Sequence, residues 1–303
     1  MSKIGLHGDQ TGFPNLALMK LSAWHKARGD DVSLFMPLET YDKIYSSIVF
    51  TYNRDDRYLP RSAIRGGTGY GLITNLPDDI EHICPDYDLY LQDFSMGFLT
   101  RGCIRKCDYC VVPSKEGDIR SHADIEEFLR HKDVVILDNN VLASPHGVMQ
   151  IEKIAKLGVK VDFNQGLDAR LIDDGIARLL SKLKWRSPLR LACDHAMMIP
   201  HISKAVQLLR WHNVVPRRYF CYCLIRDVPD ALERVKFLKG INVDPFAQPY
   251  IDNIGTKATG IQRAFARWVN HKAEYNSRTW EDYYSNYNYN YKEISNILGK
   301  NNG

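Results

Sequence analysis

Three cysteines lie close together in the sequence: Cys103, Cys107 and Cys110, in a C-x3-C-x2-C arrangement. They belong to the stretch GFLTRGCIRKCDYCVVPSKEG, which runs from Gly97 to Gly117. Three thiolates on one short loop can converge on a single metal centre, and soft sulfur ligands select iron–sulfur clusters, zinc or copper(I). The sequence therefore predicts a metal-binding loop.

The number of cysteines bears on the kind of centre. A closed structural zinc site needs four ligands, and a cluster held by four cysteines leaves no iron free. Three thiolates on a four-iron cluster leave one iron open to a small molecule. The alternative is a zinc loop completed by a distant His or Cys such as His122. Both interpretations predict a metal site, which is what cysteine clusters of cytosolic proteins usually form.

The bulk composition indicates an ordinary globular protein. Its 303 residues predict about two domains, and 45% of them are hydrophobic and 25% charged. No apolar run is long enough to span a bilayer, and the amino terminus, MSKIGLHGDQ, shows no secretory signal. Seven cysteines with three in one loop argue against a disulfide framework and predict a cytoplasmic protein with no membrane partner. The net charge of +4 permits anionic partners without implying nucleic acid.

The elements that precede the cysteines predict a βαβ unit. Lys3 to His7 is a short apolar strand, and Pro14 to Gly29 carries the start and stop residues of a helix. Val32 to Met36 is predicted as a second strand, and Ile44 to Phe50 as a third element. This order favours a parallel sheet. The glycine-rich run GGTGYG from Gly66 to Gly71 does not lie between a clear strand and a helix, so we expect a connection rather than a phosphate-binding loop.

From Met96 onward, strands and helices alternate six times. The predicted strands are Met96–Thr100, Val134–Leu137, Val159–Phe163, Leu189–Cys193, Arg218–Ile225 and Ile241–Ala247. A helix follows each of them, the first predicted from Ser121 to Lys132. Such alternation builds a parallel sheet with covering helices, either a barrel or a doubly wound sheet. The carboxyl ends of these strands share one edge, where the polar residues that follow them are expected to meet.

The cysteine spacing, with Tyr109 just before the last cysteine, resembles the signature loop of the radical S-adenosylmethionine (SAM) superfamily. Six βα units that begin at this loop are similar to the partial barrel of that superfamily, so the resemblance covers Asp93 to about His271. It implies an α/β fold in which a partial (β/α)6 barrel follows a small Rossmann-like domain. The expected segments are 1–90 for the amino-terminal domain, 91–272 for the barrel and 273–303 for a Tyr/Asn-rich tail.

The resemblance also implies a mechanism and a ligand set. Cys103, Cys107 and Cys110 would hold a 4Fe-4S cluster whose open iron is chelated by SAM, and reductive cleavage would give a 5′-deoxyadenosyl radical that abstracts hydrogen from an unidentified substrate. An electron donor such as flavodoxin or ferredoxin is expected as a partner. The residues implied to contact SAM lie mostly at strand ends: Tyr109 near the adenine, Asp138, Asn139 and Asn140 at the methionine end, and Gln165, Arg170 and Asp194 near the carboxylate or ribose. The second-strand element is L-D-N-N here, where the superfamily usually has a G-G-E-like one.

Two extensions of the resemblance are not expected. The amino-terminal portion resembles the domain of the cobalamin-binding branch, but the D-x-H-x-x-G pattern fails around His7, where Gly5 and Gln10 replace its Asp and Gly, so cobalamin is not expected. The loop also resembles that of transfer-RNA methylthiotransferases. Their second cysteine triad is missing, since only Cys84 precedes the motif, and too little follows Lys272 to form their β-barrel.

The substrate stays open between a small molecule, a peptide and a nucleic acid. Modification of a nucleic acid or nucleotide is the alternative enzyme function, and a non-catalytic zinc or iron–sulfur protein is the alternative from another class. Cys193, Cys221 and Cys223 could suggest a second cluster, but core packing is favoured because buried free cysteines are common. The tail segment WEDYYSNYNYNY could stack on bases, but interleaved cations are mostly missing, which favours a disordered or docked end.

Overall fold

The computed structural model describes residues 1–9, 12–50, 57–71, 74–216, 218–251 and 257–285. The chain divides into two compact units, residues 1–165 and residues 166–303. The first unit contains the predicted amino-terminal domain together with the cysteine loop and the strands around it. The predicted segment boundaries near residues 90 and 272 stay predictions.

The first unit begins with a four-stranded parallel sheet. Its elements are β1 (Lys3–Gly8), α1 (Leu16–Lys26), β2 (Asp31–Leu34), β3 (Lys43–Ser47) and β4 (Ile64–Gly66). The strands lie in the order β2-β1-β3-β4, and every pairing is parallel. The predicted βαβ unit is therefore confirmed.

Apolar residues of the first strand and helix form the core of this sheet. Ile4 and Leu6 on β1 pack with Leu18 and Leu21 on α1 and with Ile80. The helix begins after Asn15, whose side-chain oxygen accepts a hydrogen bond from the Leu18 N–H. Asn15 is a better cap than the predicted start at Pro14, because a side-chain acceptor satisfies one of the free N–H groups of the first turn.

A second parallel sheet completes the first unit. The remaining elements are α2 (Asp78–Glu81), β5 (Ser95–Gly97), β6 (Thr100–Arg101), α3 (Val112–Lys115), β7 (Arg120–Ser121), α4 (Ile125–Phe128), β8 (Asp133–Ile136), α5 (Pro145–Leu157) and β9 (Lys160–Phe163). Strand β8 pairs in parallel with β5 on one side and β9 on the other. A further core cluster joins α1 to this sheet through Met19, Tyr87, Met96 and Val135.

Helix α4 is shorter than predicted. It begins after Asp124, whose carboxylate accepts the Glu126 N–H, and it ends at Phe128 because the backbone turns extended at Leu129. Phe128 then covers the backbone of Gly97, where a Cβ atom would come within 2.7 Å of its ring. The predicted helix is therefore present, but its predicted bounds of Ser121 and Lys132 were wrong.

The second unit repeats the strand–helix alternation. Its elements are α6 (Asp174–Leu180), β10 (Lys184–Trp185), β11 (Leu189–Ala192), α7 (Ile199–Trp211), β12 (Tyr219–Ile225), α8 (Val228–Gly240), β13 (Asp244–Pro249), α9 (Gly260–Asn270) and α10 (Lys272–Ser277). Strand β12 pairs in parallel with β11 and β13. All six predicted strands are present, each followed by a helix, so the α/β class with parallel sheets is confirmed. Their assembly into one partial barrel stays a prediction.

The start of the carboxyl-terminal tail is docked on the second unit. Trp280 is buried, and its ring lies 5.1 Å from that of Phe265 and 5.8 Å from that of Trp268, both on α9. A disordered or a docked end was expected for WEDYYSNYNYNY, and this portion is docked; residues 286–303 lie outside the described residues.

Candidate metal centre

The cysteine loop is closed at its base by a short antiparallel ribbon. Thr100 and Arg101 of β6 pair with Ser121 and Arg120 of β7. Inside the ribbon, the Cys103 N–H donates to the Gly117 carbonyl at 3.2 Å. The chain thus returns to its starting point after the loop, and both ends of the cysteine-bearing segment are fixed by backbone hydrogen bonds.

Gly102 makes this closure possible. Its φ is +80°, and a Cβ atom at this position would lie 2.2 Å from the Asp118 carbonyl oxygen. A side chain is therefore excluded by both the backbone conformation and the neighbouring chain. Glycine directly before Cys103 is a requirement of the local geometry.

The three cysteines are not in disulfides, and each is partly buried. The Cys103 sulfur accepts the Arg105 backbone N–H at 3.3 Å and the Asn140 side-chain N–H at 3.5 Å. Further along the loop, the Cys110 N–H donates to the Cys107 carbonyl at 3.1 Å. Such N–H donors around sulfur suit a thiolate ligand, so the donor chemistry fits an iron–sulfur cluster.

The thiols are not arranged as a finished ligand set. Within the described ranges, no three His, Cys, Asp or Glu side chains are grouped so that they could hold a metal ion. The loop brings Cys103, Cys107 and Cys110 into one segment that is closed by the ribbon, and their joint ligation of a metal stays a prediction.

The segment that follows β8 packs against the cysteine loop. The Asp138 carboxylate accepts the backbone N–H groups of Leu99 at 2.8 Å and Thr100 at 2.6 Å, and the Thr100 hydroxyl at 2.5 Å. The Asn139 amide donates to Glu116 at 3.0 Å. Together with Asn140, these residues confirm that the polar groups after β8 meet the loop after β5, at the shared edge of the sheet.

Burial sets the protonation behaviour of Asp138. The side chain is buried, which raises its pKa to about 6, and the hydrogen bonds from Thr100 and Leu99 oppose the rise. The carboxylate is thus held beneath the loop by three donors at an electrostatic cost. Its predicted contact with SAM, like those of Asn139 and Asn140, stays a prediction.

An ion-pair network that the sequence analysis missed supports the base of the loop. Arg101 lies between two carboxylates, 3.1 Å from Glu116 and 2.9 Å from Glu81, and its guanidinium stacks on Phe98. Glu116 also accepts the Gly102 N–H at 3.0 Å. Opposite charges next to the two loop glycines, Arg101 before Gly102 and Glu116 before Gly117, were the available signal.

Glu81 is the centre of this network. Its burial favours a higher pKa, but the hydrogen bond from His122 and the charges of Lys20 and Arg101 outweigh that effect and hold the pKa at about 2. The His122 Nε2 atom lies 3.3 Å from the Glu81 carboxylate, and its ring lies on that of His82. His122, the fourth ligand suggested for a zinc site, is thus in contact with Glu81 and His82.

The glycine-rich run GGTGYG packs onto this region as well. The Lys115 ammonium donates to the Thr68 hydroxyl at 2.7 Å, which links the run to α3 of the cysteine loop. Gly67 has a φ of +91°, and a Cβ atom there would lie 2.4 Å from the Ile48 carbonyl oxygen. The described run is therefore a packed connection, and the expectation that it binds no phosphate stays a prediction.

The other residues predicted to contact SAM belong to both units, two to each. Tyr109 lies within the loop and is partly buried, and Gln165 is exposed after β9. In the second unit, Arg170 forms a two-point ion pair with Asp168 at 2.7 and 3.0 Å, and Asp194 accepts the Leu224 N–H at 3.0 Å. The roles of these four residues stay predictions.

The cysteines of the second unit are core residues. Cys193, Cys221 and Cys223 are completely buried. Burial, followed by the neighbouring Cys223, raises the pKa of Cys193 to about 12, and burial raises the pKa of Cys221 well above its ordinary value. Protonated, buried thiols behave as small apolar side chains, as the sequence analysis expected.

His7 is the penultimate residue of the first strand and is buried. Its Nδ1 atom lies 2.7 Å from the Ser46 hydroxyl, which in turn lies 2.9 Å from the Tyr70 hydroxyl. Its ring meets Phe35 edge-on at 6.0 Å. These contacts fit the predicted strand-end role, and the expectation that cobalamin is absent stays a prediction.

Among the described residues, no helix is long and apolar enough to cross a membrane.

The parallel sheets define an α/β protein whose fold is similar to that of a solved radical SAM enzyme. The similarity is to a solved structure of the cobalamin-dependent SAM radical enzyme OxsB with aqua-cobalamin and SAM bound, with a TM-score of 0.53 and 12% sequence identity. The match covers 90% of this chain and 56% of that chain, so the protein spans little more than half the length of OxsB. The sequence matches no protein-family model and no curated protein.

Proposed function

We propose that this protein is a radical SAM enzyme. Cys103, Cys107 and Cys110 would hold a 4Fe-4S cluster through their sulfur atoms. The observation that carries the proposal is the placement of the C-x3-C-x2-C loop directly after the first of six βα strands, with the polar segment after the second strand packed against it. The fold similarity to OxsB supports the same class.

The role of the protein residues is to position the loop. When bound, the cluster with SAM would supply reductive cleavage of the sulfonium and hydrogen abstraction from a substrate. Asp138 fixes the backbone that leads into the loop, and Glu116 holds the Gly102 N–H just before Cys103. Tyr109, Gln165, Arg170 and Asp194 are proposed to contact SAM, together with the segment after β8.

The cofactor set is proposed to contain SAM without cobalamin. OxsB binds cobalamin, whereas this chain lacks the D-x-H-x-x-G pattern of that branch. A one-electron donor such as flavodoxin or ferredoxin would reduce the cluster. The substrate is not assigned, and modification of a nucleotide or nucleic acid stays an alternative because the loop resembles that of the methylthiotransferases.

Anaerobic reconstitution with iron and sulfide tests the proposal. We expect a brown protein with about four irons per chain, which forms 5′-deoxyadenosine from SAM when dithionite is added. Cys103→Ser should lose both properties. Cys84→Ser is the matched control, because Cys84 is also a partly buried free cysteine but lies outside the loop.

Two results would count against the enzyme. Tight stoichiometric zinc without SAM cleavage would favour the structural metal protein, and His122→Ala should then weaken zinc binding. Equal loss of the cluster in the Cys84 and Cys103 variants would refute the proposal that the loop cysteines are the specific ligands. Addition of hydroxocobalamin to the purified protein, followed by gel filtration and absorbance, tests the expected absence of that cofactor.

A further inference from the structure

Three consecutive side chains after β8 contact the cysteine loop at three different places. Asp138 binds the backbone before the loop, Asn139 binds Glu116 near its far end, and Asn140 binds the sulfur of Cys103. The resemblance to the superfamily had assigned this segment to SAM. Its observed contacts are with the protein, and one of them is with a proposed metal ligand.

We propose that Asn140 is a positioning residue for Cys103, whose side-chain amide stabilises the sulfur as a ligand and raises the reduction potential of the cluster. This inference rests on the proposed function, because it requires the cluster. It assigns to the L-D-N-N segment a role in the electronic properties of the metal centre.

The contact supplies a buried donor to a sulfur that is proposed to bind the cluster. The Asn140 side chain is only 3% exposed, so its amide has given up most of its contact with water. A neutral thiol is a weak acceptor and compensates little for the loss of water around the amide. A metal-bound thiolate would accept a stronger, charge-assisted hydrogen bond. The Arg105 N–H is a second donor to the same sulfur. Two converging donors suit a metal-bound thiolate.

The position of the amide relative to the sulfur is fixed from both sides. Asp138 ties the segment to Leu99 and Thr100 through buried hydrogen bonds, only two residues before Asn140. On the other side, the ribbon and the bond from Cys103 to Gly117 fix the backbone of the sulfur-bearing residue. The 3.5 Å contact is therefore built into the local fold.

Hydrogen bonds to cluster sulfurs change the reduction potential, because they stabilise the added negative charge of the reduced state. Loss of the Asn140 donor should shift the one-electron equilibrium about tenfold toward the oxidised cluster, which corresponds to about 59 mV. A residue with a structural role alone would alter cluster content or stability without changing the potential of the clusters that form.

The experiment compares the reconstituted full-length protein with Asn140→Leu and Asn140→Ser. Asn140→Leu keeps the side-chain shape, and Asn140→Ser supplies a smaller polar variant in case the first does not fold. Ser114→Ala is the matched control, since the Ser114 hydroxyl lies in the same loop and donates to the Val111 carbonyl. Iron content, circular dichroism and the midpoint potential from an EPR-monitored titration are measured for each.

A second measurement uses the metal-free protein. In ¹⁵N-edited NMR spectra, the side-chain amide signal of Asn140 should move on replacement of Cys103 by Ala, and it should stay in place in Ser114→Ala. The signal reports directly on the hydrogen bond between Asn140 and Cys103, and it does not depend on enzyme activity.

We expect both Asn140 variants that fold to bind iron and to show the lowered potential, with Ser114→Ala unchanged. An unchanged potential in the variants, or an equal shift in the control, overturns the inference while the proposed function stands. A wild-type protein that forms no cluster overturns both, even where the NMR signal responds to Cys103→Ala. Failure of both variants to fold, together with an unmoved amide signal, would also overturn the positioning role.

Discussion

Replacement of Asp138 by Asn should change the pH dependence of stability in a defined direction. In the wild-type protein, burial raises the pKa of this carboxyl from 3.8 to about 6, against the opposing hydrogen bonds of Thr100 and Leu99. One pKa unit corresponds to about 1.4 kcal/mol, so a rise of roughly two units is equivalent to about 3 kcal/mol. This is the penalty for keeping Asp138 ionised in the folded state.

The sign follows from proton binding. Between about pH 4 and pH 6, the folded chain retains a proton at Asp138 that the unfolded chain has released. The contribution of this group to the free energy of unfolding is therefore greatest at about pH 4 and below, and it is lost as the pH rises through about 6. Since Asn does not titrate, the wild-type value minus the variant value should fall by about 3 kcal/mol from about pH 4 to about pH 7.

Urea unfolding of the metal-free proteins, followed by circular dichroism at several pH values, measures this difference. Other titrating groups cancel because they are common to both proteins. Asp173→Asn is the control for loss of one carboxylate, since Asp173 caps α6 and Asn caps helices equally well. A difference that is independent of pH, or that grows as the pH rises, would refute the reasoning.

Two further predictions concern the loop and its support. Gly102→Ala should lower the free energy of unfolding by about 1–3 kcal/mol more than Gly117→Ala, because both positions have positive φ but only the Gly102 site would place a Cβ atom against the Asp118 carbonyl; equal thermal melts would contradict this. Glu81→Gln should cost about 3 kcal/mol at pH 7, since the lowered pKa contributes stability above about pH 4.5 that is lost as the pH falls through about 2. Urea unfolding at pH 7 and pH 3 checks it, and a larger cost at pH 3 would be the contrary result.

Much of the fold could be predicted because it depends on local patterns. Mostly apolar runs of four to eight residues predicted the six strands of the repeat, and period and spacing predicted the helices between them. The same order of elements predicted that the residues after β8 would meet the cysteine loop. That part of the site is a consequence of parallel topology and needs no knowledge of side-chain packing.

The contacts within the site could not be predicted in this way. The roles of Arg101 and Glu81 depend on α2 lying next to the loop, which is a tertiary relation with no sequence period. The true extent of α4 depends on Phe128 packing over Gly97. Asn140 was recognised as a polar strand-end residue, but its partner is a sulfur 37 positions earlier in the chain. The residue type indicated a role in the site, but the contact with Cys103 depends on the tertiary structure.

The ribbon of β6 and β7 has a consequence for how the proposed cluster would be taken up. It closes residues 102–119 through hydrogen bonds between protein groups. Closing a segment of this length costs about 3 kcal/mol of chain entropy beyond a constant term. Because folding of the protein already closes this segment, binding of the proposed metal would require only side-chain rearrangements within the loop. The metal-free protein should therefore remain folded and receptive, and chelators should empty the site without unfolding the chain.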